Sequence, residues 1–370
     1  MGMSRRFSSV PILKKVLPRV ELLPSSGGVV ASNGIVGRNP TAHREMEALI
    51  FEPDEFAKVY NCNLYDTELH PREERRLRLV GLICLLIGIV SVVLYLACIY
   101  AMTKKELIRL PAFKLMIYMA FFHMHGCLSA GFFMAFMFYD GTVFCEHPTI
   151  DFIGGELGTA FWIGSMVTST ILSFNRCCAM YDQTLAYFFF SGNRVYLWMI
   201  LPGVLCYYGF LFEPPVLYSG IGKSWYFNPH YHYIDEVKYE YVNQLHTFNN
   251  IFTVSVQVVL TITFAVLYFD RVKSRKSQMT RNDKLMCLQV FLIGLFEMCA
   301  GTSFLVQQHV ELDFAMSLFA SFSWFGSQAI APYIYLTFNR TVRTIVVRKF
   351  LPCWGRKNNV NEMPSTTHEP

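Results

Sequence analysis

The sequence predicts an all-α membrane protein: a seven-transmembrane helix bundle with its N-terminus outside, its C-terminus in the cytosol and a short amphipathic helix after the seventh span. Three observations predict it. The 370 residues are 53% hydrophobic and only 16% charged, against about a quarter charged in soluble domains. Seven apolar segments approach or exceed the roughly 20 residues that a helix needs to cross a bilayer, where an open strand would leave its backbone unsatisfied. Lys and Arg, finally, gather in alternate loops.

The segments are 79–102, 115–139, 152–174, 195–219, 251–269, 285–306 and 314–338, and Glu156, Glu213 and Glu297 are the only formal charges in them. The fourth has the least secure edge, because Glu213, Pro214 and Pro215 crowd its end. The loops after spans one, three and five hold Lys104, Lys105, Arg109 and Lys114, then Arg176 and Arg194, then six residues from Arg271 to Lys284. Six more follow span seven, whereas the alternate loops hold only Lys223 and Lys238. This bias sets the orientation. "HPREERRLRL" before span one runs against it, with Arg72, Arg75, Arg76 and Arg78 outside, and reads as a local exception. Three parts result: an N-terminal tail over 1–78, partly disordered, the membrane domain over 79–338 and a cytosolic tail over 339–370. In that tail "NRTVRTIVVRKF" sets Val342, Ile345 and Val346 opposite Arg340, Arg343 and Arg348, as in an interfacial helix.

With this orientation only Cys62 and Cys145 lie on the oxidising side away from the membrane, which makes them the natural disulfide pair; two unpaired thiols are the alternative. Cys353, near the cytosolic membrane surface, is suited to palmitoylation or is an ordinary thiol. The eleven cysteines show no metal-ligand spacing, so neither a metal nor a cofactor is expected. The net charge of +5 follows from the loop asymmetry and gives no reason to invoke nucleic acid. The chain lacks HExxH, GxSxG and Walker signatures and has no Asp in the spans, so it reads as no enzyme.

Ionisable groups inside a membrane call for a partner or a task. Glu156, near the outer end of span three, Glu297 in span six and His123 in span two are therefore candidates to line a ligand cavity, with Trp162 and Trp324 among the outer aromatic residues. Helix recognition through hydrogen bonds, and interfacial or packing aromatics, are the plainer readings of the same residues. The Tyr- and His-rich loop after span four either covers that cavity or is solvated cover without ligand contact.

Ordered motifs narrow the class. The chain resembles the nematode class T serpentine receptors over roughly residues 60–350, in "YNCNLYD", "FCEHPTIDFIGGELGTAFWIGS", "SFNRC", "EPPVLY", "WYFNPH", "HTFNN" and "APYIYLTFNRTVR". The resemblance implies a chemosensory G-protein-coupled receptor in the lipid bilayer of the plasma membrane, the sensory cilium being one candidate compartment, with a small-molecule ligand and a heterotrimeric G protein as partners. Arg176 stands where rhodopsin-like receptors keep the Arg of their third-helix motif, and Pro332 and Tyr335 keep the Pro-x-x-Tyr of the seventh. Arg176, Arg271, Lys273 and Arg340 would then face the G protein. Three departures from that pattern put sodium regulation, the usual sixth-helix pivot and the usual disulfide in doubt: no Asp in span two, no Pro in span six, and no Cys after span four to pair with Cys145. A seven-helix ligand-gated channel or transporter is the alternative, although the chain shows no internal repeat.

Overall fold

A computed structural model describes residues 45–62, 69–232, 241–273 and 281–351. Among the described residues, six helices are long and apolar enough to cross a membrane: Arg78–Met102, Pro111–Asp140, Pro148–Tyr181, Arg194–Phe212, Gln244–Asp270 and Cys287–His309. The seventh span is Phe314–Ala329 followed by Ala331–Phe338, interrupted at Ile330. Pro332 has no N–H to give the carbonyl of Gln328, so the ladder breaks where the sequence places this proline. Span two contains a π-helical turn over Ser129–Phe133. That turn brings Gly131 against span one so closely that a Cβ on Gly88 would lie 2.6 Å from the Gly131 Cα.

Span four is shorter than the apolar run 195–219 suggests. Its helix ends at Phe212, and Glu213 is already extended, because the residue before a proline is pushed out of the helical region and Pro214 and Pro215 follow. The rest of the run enters a two-stranded antiparallel sheet, β1 Leu217–Ser219 and β2 Ser224–Tyr226, paired Leu217 to Tyr226, Tyr218 to Trp225 and Ser219 to Ser224. All six strand residues are buried. Gly155 of span three accommodates the connection, since any Cβ there would collide with the Val216 carbonyl.

The basic cluster before span one is neutralised at this hairpin end. Arg75 is buried and donates to the carbonyls of His70 (2.9 Å) and Gly141 (2.6 Å) and to Glu146 (3.0 Å). Arg72 also reaches Glu146, at 3.0 Å, and Asp140 at 3.5 Å. Burial opposes ionisation of Glu146, but the hydrogen bonds from Arg75 and Arg72 outweigh it and hold the carboxyl below its usual value. Lys223, in the hairpin turn, donates to the carbonyls of Arg75 and Glu74. Its burial, with the Arg75 cation nearby, lowers its ammonium pKa to about 8. Cys62 and Cys145 form a disulfide beside this cluster, with Cα atoms 5.5 Å apart. Helices Glu45–Phe51 and Pro53–Val59 add Met46 and Val59, with Tyr60 just after the second helix, to a small core with Phe144, Phe152 and Leu217.

Candidate functional site

Beneath the hairpin lies a small cavity, with about 20 Å³ of room for the centre of a water-sized molecule, lined by Gly158, Thr159 and Trp162 of span three, Val216 and Trp225 of the hairpin segment, His246 of span five, Phe304 of span six and Trp324 of span seven. Residues 158, 159 and 162 share one stripe of their helix because three to four residues complete a turn. Trp225 meets Trp324 edge to face, centroids 5.8 Å apart. The hairpin is held over the cavity by polar bonds. Gln307 donates to the Trp225 carbonyl at 2.8 Å, Ser321 to the Ser224 hydroxyl at 2.9 Å, and Tyr226 meets Ser317 at 3.1 Å.

The polar wall forms one chain. Trp162 Nε1 donates to Asn250 Oδ1 (2.9 Å), Asn250 Nδ2 meets His246 Nε2 (3.3 Å), His246 Nδ1 meets the Gln308 carboxamide (3.1 Å), and Gln308 meets Thr247 (3.0 Å). His246 and Asn250 are four residues apart and so share a helix face.

A second polar chain lies deeper. Tyr95 donates its hydroxyl proton to the Gln328 carbonyl, the one released by Pro332, at 2.6 Å. A carbonyl cannot donate, so the tyrosine oxygen accepts from His123 Nδ1, 3.1 Å away. His123 Nε2 lies 3.0 Å from Glu297 Oε1. A hydrogen bond there needs one proton between the two groups, whichever of them carries it. This chain joins spans one, two, six and seven in the bundle interior. It is also adjacent to the cavity: Trp324 precedes Gln328 by four residues and Glu297 precedes Phe304 by seven, placing each pair on one helix face about 6 and 10 Å apart along the axis.

At the opposite end Arg176 is buried in span three, within electrostatic reach of the buried Tyr335. Helix Arg340–Phe350 packs Val342 and Val346 inward and leaves Arg340, Arg343 and Arg348 exposed, with Asn339 capping it through Val342 N at 3.1 Å.

The family model for the serpentine-type 7TM GPCR chemoreceptor Srt matches residues 48–359. The chain belongs to this Srt chemoreceptor family. It is thus a multi-pass membrane protein of a receptor family rather than an enzyme family. No curated protein matches the chain. Among solved structures it is similar to squid rhodopsin, with a TM-score of 0.48 and 15% identity, over 78% of this chain and 92% of that one.

Of the residues singled out in this Srt member's sequence, Trp162 and Trp324 line the cavity, whereas His123 and Glu297 pair with each other below it. Glu156 is buried but does not line the cavity. It stands about 110° of helix rotation from the stripe of Gly158, Thr159 and Trp162. Pro332 releases the carbonyl that Tyr95 binds. The side chains of Arg271 and Lys273, and all of Cys353, lie outside the described residues. Sequence reasoning did not select Trp225, His246, Asn250 or Phe304. The i, i+4 spacing of His246 and Asn250 in "HTFNN" was the available signal for that pair.

Proposed function

We propose that this protein is a chemosensory receptor that binds a small molecule in the cavity beneath the hairpin and activates a heterotrimeric G protein at the opposite end of the bundle. The hairpin end faces outward at the plasma membrane, in keeping with the eighteen Lys and Arg counted on the other side. The observation that carries the reading is the adjacency of the cavity to the Tyr95–His123–Glu297 chain. A ligand against Trp324 and Phe304 bears on the same helix faces that carry Gln328 and Glu297. If it binds more tightly when those turns have shifted, it moves the population of the bundle. Span three transmits in the same direction: Trp162 and Arg176 are fourteen residues apart, about 21 Å along one helix. Arg176, Tyr335, the basic segment from Arg271 and the helix from Arg340 form the inner face in this reading.

The test is a ligand screen in cells reporting G-protein activation, with patch-clamp recording alongside. Responses that need the G protein support the proposal. A ligand-evoked current that persists without any G protein overturns it in favour of a channel.

A further inference from the structure

We infer that the cavity selects an uncharged ligand: a small, largely aromatic or unsaturated molecule whose polar group, where it has one, accepts a hydrogen bond. The inference rests on the proposal that this cavity is the ligand site, and specifies its chemistry.

No formally charged residue lines the cavity among the described residues. The nearby charges are directed elsewhere. Asp151 accepts the Tyr218 backbone N–H, with both oxygens at 3.3 Å, and Glu213 accepts the Leu245 N–H at 3.3 Å. Glu156 stands off the lining stripe, and Lys223 is bound to the carbonyls of Glu74 and Arg75. An ion entering the cavity would lose its hydration without gaining a counter-charge. Indole faces attract cations, but that attraction alone is smaller than the cost of desolvating an unpaired ion.

His246 does not supply the missing charge, because its bonding fixes a neutral ring. Asn250 Oδ1 is committed to Trp162 Nε1, so Asn250 presents its amide N–H to His246 Nε2, which must accept. Gln308 Nε2 lies 3.1 Å from Nδ1, so amide N–H groups face both ring nitrogens and neither supports the second proton of an imidazolium. Gln308 Oε1 faces the Thr247 hydroxyl at 3.0 Å, and that hydroxyl also lies 2.9 Å from the Asn243 carbonyl. An imidazolium would set an N–H against the Asn250 N–H.

The same accounting gives the sense of the ligand's polar group. Thr159 donates to the Gly155 carbonyl at 2.9 Å and accepts from Val216 N at 3.3 Å, so its hydroxyl is engaged. Both nitrogens of His246 are engaged as well. Of the three lining indoles, Trp225 directs its N–H only at the Met134 thioether, a weak acceptor, and the Trp324 N–H makes no hydrogen bond among the described residues. The lining therefore retains indole donor capacity, which suits a carbonyl, ether or nitrile on the ligand.

The experiment uses three probes of nearly one shape: acetophenone, 1-phenylethylammonium and benzoate. Saturation-transfer NMR on the full-length receptor in nanodiscs measures their binding, and Gly158→Leu, which fills the cavity, identifies the cavity-specific part of each signal. A Cβ at Gly158 would lie 3.9 Å from Trp324, an ordinary contact, so Gly158→Ala serves as the folded control. Trp324→Phe, which removes the indole donor, is the second variant. The expected result is cavity-specific binding of acetophenone at least tenfold tighter than of either ion, retained in Gly158→Ala and weakened in Trp324→Phe. A charged probe that binds as tightly and is lost in Gly158→Leu overturns the inference while leaving the cavity as the ligand site. Absence of a Gly158→Leu-sensitive signal from all three probes overturns both.

Discussion

Replacing Glu297 tests the deep polar chain by distinguishing loss of volume or charge from loss of one hydrogen bond. In Glu297→Leu the His123 Nε2, now 3.0 Å from Glu297 Oε1, faces an apolar side chain inside the bundle. A buried group left unsatisfied costs about 1–3 kcal/mol in soluble proteins. Single hydrogen bonds in membrane bundles average nearer ~0.6 and reach ~1.7 kcal/mol. The overlap of these ranges puts the cost at about 1–1.7 kcal/mol, equivalent to a shift of about 5- to 18-fold in the equilibrium that the chain biases. Glu297→Gln has a different outcome, because the carboxamide N–H donates to Nε2 while Nδ1 remains bonded to Tyr95, and the four-span connection survives. The assay is thermal unfolding of purified receptor together with ligand-independent G-protein signalling in cells. Glu297→Leu should unfold a few degrees below the parent and change basal signalling, whereas Glu297→Gln should stay close to the parent in both. If Leu behaves as the parent does, or Gln is as damaging as Leu, the shared-proton reasoning is wrong.

Other expectations follow from the same geometry. Tyr95→Phe removes the proton donor to the carbonyl released by Pro332, and should destabilise by about 1 kcal/mol; combined with Glu297→Leu, it should cost less than the sum of the two, which a double-mutant cycle measures. Cys62→Ser opens a loop whose ends are 83 residues apart, and should lower stability by about 2–4 kcal/mol, with the same loss in the parent on reduction. The hairpin end should respond to pH in two windows. Glu146 has a depressed folded-state value, so its contribution is present above the usual carboxylate range and is lost as the pH falls through the lower folded value. Lys223, with its pKa lowered from 10.5 to about 8, is charged less readily in the folded state, so stability should rise between pH 8 and 10.5, and this rise should vanish in Lys223→Met. Arg176→Ala should abolish signalling at equal surface expression; unchanged signalling would remove Arg176 from the coupling face.

Much of this arrangement was legible in the sequence because membrane physics leaves few alternatives. Runs such as 79–102 and 251–269 contain no charge, and Pro332 marks the break in span seven by chemistry alone. The hairpin was not legible. Residues 217–219 and 224–226 are three-residue strands, too short for an alternating pattern, so 217–219 read as the tail of span four and 224–226 as part of the loop after it. Their strand pairing depends on an exit at Glu213 and on the close approach of Gly155 to the Val216 carbonyl, 61 residues further along the chain. Within the site, His123 and Glu297 stood out as costly intramembrane groups, but nothing local says that residues 174 apart in sequence pair with each other rather than with a ligand. His246 escaped for the opposite reason: at the edge of an apolar run, an imidazole looks like an interfacial residue until Asn250, Trp162 and Gln308 are seen around it.

The most direct measurement of the central claim is ligand-evoked G-protein activation in cells expressing Gly158→Leu and Gly158→Ala at matched surface levels, using any agonist found in the screen. The claim requires the response to be lost or shifted at least tenfold when the cavity is filled and to be kept in the alanine variant. An agonist response in Gly158→Leu equal to that of the parent would contradict it.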